Sequence, residues 1–144
     1  MDFFTAMSVS SSALTAERTR INLISSNLAN VNSTRTAEGG PYKRKDAVFS
    51  ATQLSEPFAK MLTRAGRSLE KVDVTSIVED SNPPRLQYDP SHPDANPQGY
   101  VAMPNVNVIE EMTDMISATR TYEANVTAAQ AAKSMAMKTL ELGR

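Results

Sequence analysis

His92, with Asp89 and Asp94 close on either side, is the single histidine of the chain, and the trio could serve as a ligand set or as a base with carboxylate partners. A lone imidazole in a chain without cysteine does not make a transition-metal site, so the stretch reads as a turn shaped by its Asp, Ser and Pro residues. Glu110, Glu111 and Asp114 form a second set, paired carboxylates of the kind used in general acid–base chemistry. They fall at the start of an expected helix, where negative side chains complement the helix dipole without any substrate. Gly39-Gly40-Pro41 has neither the spacing nor the lysine of a phosphate loop and reads as a turn. Lys43-Arg44-Lys45 stands in a chain of formal net charge −1, which favours a solvated edge or a local interface over a nucleic-acid site. Asn32-Ser33-Thr34 and Asn125-Val126-Thr127 match the glycosylation acceptor pattern, which is short enough to arise by chance. No catalytic constellation, cofactor site or metal site is expected.

The elements that carry these residues follow from where the helix breakers lie. All eight prolines and four of the five glycines fall between Gly39 and Pro104, leaving both ends free for long helices. In the first arm a 4-3 spacing selects Phe3, Met7, Ser10, Leu14, Glu17, Ile21, Ile24, Leu28 and Val31, with seven of nine slots apolar. Asp2 suits its N-cap, and Asn30 and Asn32 suit an exit in the left-handed conformation. The second arm repeats the spacing through Val108, Met112, Met115, Thr119, Tyr122, Val126, Ala129, Lys133, Ala136 and Leu140, with eight of ten slots apolar. Asn107 and Glu110 resemble a capping box, and Lys138 and Arg144 complement the far end of the dipole. Partial alternation over 42–50 and 69–79 predicts short strands. A short helix is compatible with the region after Pro57, and the six prolines from Pro83 to Pro104 predict an extended, turn-rich return.

The expected fold is mainly α: two long terminal helices packing as a coiled-coil-like domain, with a small irregular, β-containing middle domain. The divisions are an N-terminal helical arm at 1–34, a middle domain at 35–104 and a C-terminal helical arm at 105–144. Arms of about 30 to 38 residues are on the order of 45 to 57 Å long, whereas a compact middle of about 70 residues is roughly 30 Å across. Such arms outrun the body, and polar slots at Ser10, Glu17, Thr119 and Lys133 make a single pair of them marginal. The arms are therefore expected to order fully when several subunits pack together. The expected assembly surface is Phe3, Met7, Leu14, Ile21, Ile24, Leu28 and Val31 on the first arm, with Met112, Met115, Tyr122, Val126 and Leu140 on the second. Asn27, Asn30 and Asn125 are candidates for hydrogen bonds between subunits. No apolar run exceeds four residues (Tyr100 to Met103), and the start Met1-Asp2-Phe3-Phe4-Thr5 lacks the form of a cleavable secretory signal. Taken alone, these features suggest a cytoplasmic protein.

The residues of the arms also carry a resemblance. Ile24-Ser25-Ser26-Asn27-Leu28-Ala29-Asn30-Val31-Asn32-Ser33-Thr34 resembles the Asn-rich signature of the flagellar rod and hook family. Arg35-Thr36-Ala37-Glu38-Gly39-Gly40-Pro41-Tyr42 is similar to the form in the proximal-rod branch, not to the shorter Thr-Pro-Gly-Tyr of hook and distal-rod relatives. Tyr88-Asp89-Pro90-Ser91-His92-Pro93, Gly99-Tyr100-Val101, Pro104-Asn105-Val106-Asn107 and Arg120-Thr121-Tyr122-Glu123-Ala124-Asn125-Val126 follow in order; residues 53–67 are the least similar. The resemblance implies a structural rod component with a coaxial helical domain made by both termini and a small outer domain. It further implies export through the flagellar type III apparatus without a cleaved signal, assembly in the periplasm, and partners that are other rod subunits and copies of itself. This replaces the cytoplasmic expectation. A reading from another class is a soluble helical adaptor or export chaperone whose arms grip a client helix.

Overall fold

The computed structural model describes residues 3–53 and 70–142. Helix α1 spans Phe3–Ala29, strands β1 and β2 span Lys45–Gln53 and Glu70–Glu79, β3 and β4 span Arg85–Tyr88 and Tyr100–Met103, and helix α2 spans Val108–Leu142. Two long helices therefore flank a small region of strands. Asp2, Arg144 and the helix considered after Pro57 lie outside the described residues, as does the side chain of Phe3. Among the described residues no helix is long and apolar enough to cross a membrane, and no acidic, His or Cys cluster could hold a metal ion.

α1 ends differently from the expected left-handed exit. No described residue other than glycine has positive φ. Asn30 instead folds its side chain back, donating from Nδ2 to the carbonyl of Ser26 at 2.9 Å, while its Oδ1 accepts from Ser33 Oγ at 3.1 Å. The amide thus satisfies the last turn itself, which removes the need for a left-handed residue. At the other helix Asn107 caps α2, its Oδ1 accepting from the N–H of Ile109 at 3.1 Å. Lys138 falls outside the last turn of α2, which holds no basic residue.

β1 pairs with β2, and β3 pairs with β4. The β3–β4 hairpin is antiparallel with Leu86 opposite Ala102 and Tyr88 opposite Tyr100. It lies within the stretch expected as an extended, turn-rich return. The prolines flank these strands instead of interrupting them, so the ladder keeps its donors. Gly99, at φ +83°, lets the chain turn back beneath the Tyr88 ring, which meets the Tyr100 ring edge-on at 5.3 Å between centroids.

The chain divides into two compact units, and both helices pass through both of them. The described residues of one come from 3–19, 48–53, 70–76 and 119–142. In it Ala16 is buried, and Ser12 Oγ accepts from the N–H of Val72 at 3.2 Å while donating to the carbonyl of Val9. The other comprises Arg20–Ala47 and Ile77–Ala118. Its interior holds Ile24, Val101, Pro104, Val106 and Ala118 around two fully buried polar side chains, Asn27 and Glu111.

Candidate assembly surface and the polar node beneath it

Asn27, near the end of α1, is 1% exposed. Its Oδ1 accepts from the backbone N–H of Lys45 at 2.9 Å and from Tyr42 Oη at 3.0 Å. Its Nδ2 donates to the Lys45 carbonyl at 2.9 Å and to Glu111 Oε2 at 3.1 Å. Both lone-pair sites and both protons of the amide are used, the full capacity of an Asn side chain. By bonding the N–H and the C=O of the same residue, the amide stands where a neighbouring strand would stand against the start of β1. A buried donor or acceptor left unpaired here would be costly, so the side chain fixes how α1 meets Lys45.

Glu111 completes the node from the first turns of α2. Arg44 Nε donates to Glu111 Oε1 at 2.6 Å, while its terminal nitrogens lie 3.2 Å from Asp46 and 4.0 Å from Asp114. Burial works against the Arg44 charge, but the hydrogen bond and charge of Glu111, then those of Asp46, outweigh it and hold the guanidinium above its ordinary range. Asp114 also pairs with Arg20 of α1 at 3.6 Å. Moving from Asn27 back to Arg20 on α1 corresponds to moving from Glu111 forward to Asp114 on α2, so within this unit the helices run antiparallel. The Arg44 carbonyl accepts from Asp80 N–H at 2.8 Å, and Lys43 and Lys45 flank Glu79 at 3.8 and 3.4 Å.

These positions revise two sequence expectations. Glu110 is an exposed first-turn residue, as a dipole role requires, but Glu111 faces inward and is an ion-pair partner first. Of the basic run, Arg44 is half-buried in the node, while Lys43 and Lys45 are edge residues. His92 is held in a turn: its Nδ1 accepts from the N–H of Asp94, whose carboxylate accepts from Thr34 Oγ1 at 2.8 Å. Gly39 and Gly40 both have positive φ and open a tight turn over a cleft of about 300 Å³ lined in part by Lys43, Lys45 and Glu79.

The expected assembly residues divide by exposure. Ile24 and Asn27 are buried within the chain itself and are not available to a second subunit. Leu14, Ile21, Leu28, Asn30, Val31, Met115, Tyr122, Asn125 and Val126 are half-buried, whereas Met7, Met112 and Leu140 are exposed. Asn125 Nδ2 donates within its own helix to the Thr121 carbonyl at 3.0 Å. Two exposed apolar residues outside the expected set, Ile109 at 76% and Ile116 at 55%, line up with Met112 at i, i+3 and i+7 on α2. The signal was present, but Ile109 and Ile116 lie beside the 4-3 seam, which this stripe meets only at Met112.

Residues 7–35 match the family described as flagella basal body rod protein, and residues 98–142 match the flagellar basal body rod FlgEFG protein C-terminal family. The chain is 45% identical to the flagellar basal-body rod protein FlgC of Bacillus subtilis, covering all of both chains. It is 44% identical to FlgC of Borreliella burgdorferi, over 94% of this chain and 93% of that one. Against FlgC of Salmonella typhimurium the identity is 39%, over 94% of each. Identity of this level along the whole length, with rod-family matches at both helical ends, means that the chain belongs to the FlgC family of flagellar basal-body rod proteins.

Proposed function

We propose that this chain is a structural subunit of the proximal rod, polymerising through its terminal helices into the axial structure that transmits torque. In this reading the arms at 1–34 and 105–144 pack lengthwise in coiled-coil fashion against other rod subunits and copies of the same chain, and 35–104 forms the outer part. The chain travels through the flagellar type III export apparatus without a cleaved signal and assembles in the periplasm. Family membership supports the structural role. The observation that carries the assembly surface is the exposure of Ile109, Met112 and Ile116 in a row on α2, an apolar stripe of the kind helices bury against a partner.

The experiment is to trace the tagged chain through fractionation of flagellated cells. Recovery in purified basal bodies supports the reading. Retention in the cytosol, bound to one other protein, would overturn it in favour of a helical adaptor or export chaperone.

A further inference from the structure

Glu17 presents an unusual state for a carboxylate: its Oε2 is covered by the protein and has no hydrogen-bond partner. Glu17 is also the single charged slot in the α1 seam. The cation three residues on, Arg20, is already engaged with Asp114. A covered carboxylate oxygen without a donor is unfavourable and is best relieved by a cation. On α2 the single charged seam slot is Lys133, which is exposed and makes no ion pair among the described residues. Its helical neighbours three and four residues away are Ala129, Gln130, Ala136 and Met137, so its own helix offers it no carboxylate.

We infer that Glu17 of one copy pairs with Lys133 of a second copy when the chain assembles, and that this pair sets the register of one seam on the other. The inference rests on the rod-subunit reading and names the contact that reading requires. Charge complementarity selects the occupant, since each seam carries one charged slot and the two are opposite in sign. Glu17 is only half-buried, and the terminal torsion of a Glu side chain is broad, so the carboxylate can turn its oxygens toward an incoming ammonium. A contact between an α1 patch on one copy and a different, α2 patch on the next is head-to-tail, the type that propagates into rings or helical polymers. A seam with no other charged slot also disfavours slipped registers, in which Glu17 would face an uncharged residue.

The test uses charge reversal in the full-length chain, followed by quantification of the chain in purified basal bodies. E17K alone and K133E alone are each expected to lower incorporation by about tenfold or more. Co-expression of the two variant chains is expected to restore it, because alternating copies then match Lys with Glu at every contact. The double variant E17K/K133E is expected to restore it as well. Circular dichroism and secreted amounts for each variant separate failure to fold or to be exported from failure to assemble. Rescue by the double variant without rescue in the mixed cells would place the pair inside one molecule and overturn the inference. Loss with E17K but not with K133E would overturn it too, since the cation would then belong to a different subunit. Incorporation of both single variants at the wild-type level sinks the pair while leaving the rod reading intact; absence of the wild-type chain from basal bodies sinks the rod reading itself.

Discussion

Arg44 Nε donates to Glu111 Oε1 at 2.6 Å across a pair whose members differ in burial, the carboxylate being 1% exposed and the arginine side chain 28%. That asymmetry governs what each loss does. R44A strands a buried carboxylate with Asn27 as its remaining partner and should cost about 3 kcal/mol or more. E111A takes one acceptor from the buried Asn27 amide but leaves an arginine that still reaches Asp46, Asp114 and water, and because no buried charge is stranded it should cost less, about 1–2 kcal/mol. R44K should recover little, because an ammonium lacks the planar fork that serves three carboxylates. Urea denaturation of the purified chains measures the order, and E111A proving worse than R44A would contradict it.

Asn27 is both donor and acceptor, so its isosteric acid is the sharper probe. N27D removes the donations to the Lys45 carbonyl and to Glu111, and sets two carboxylates about 3.1 Å apart. We expect a loss of about 3 kcal/mol at neutral pH. Like charges at this distance raise a carboxyl pKa, so a proton returns to the pair as pH falls and the deficit should shrink. Stability curves of N27D and the wild-type chain over a pH series test this.

Gly99 is constrained twice. Its φ of +83° disfavours side chains, and a Cβ there would stand 2.9 Å from Tyr88 Cε2 and 3.3 Å from Pro90 Cβ. G99A should cost about 1–3 kcal/mol. Adding Y88A should not recover all of it, since the backbone conformation remains; full recovery would show that sterics alone were at work.

Asp89 organises the β3–β4 loop by accepting from Ser91 Oγ at 2.6 Å and from Ser91 N–H at 3.1 Å. These bonds hold its carboxyl below its ordinary value of 3.8. The unfolded chain therefore binds the proton more tightly than the folded one. The contribution of Asp89 is complete above the ordinary carboxylate pKa and is lost as pH falls through the lower, folded value. Amide signals of Ser91 and His92 followed by NMR during acidification should shift together in that window, and D89N should remove the transition.

Ile109 and Ile116 are exposed and lie on the outer stripe of α2. I109S with I116S should leave the stability of the free chain within about 0.5 kcal/mol while reducing its recovery in basal bodies. Unchanged recovery would remove this stripe from the assembly surface.

The sequence by itself determined both helices, because the spacing of apolar residues and the absence of Pro and Gly are local properties of a segment. The strand positions near 45–53 and 70–79 were legible for the same reason. β3 and β4 were not: each has four residues, β3 is exposed throughout, and the surrounding prolines masked the alternation. The fold alone decided the roles of Asn27 and Glu111. Asn27 lies 18 residues from Lys45 and 84 from Glu111, and Glu111 lies 67 from Arg44. A first-turn Glu reads as a dipole residue until the chain path brings an arginine to it. Partnership across such separations depends on where the whole backbone runs, which no short window of residues encodes.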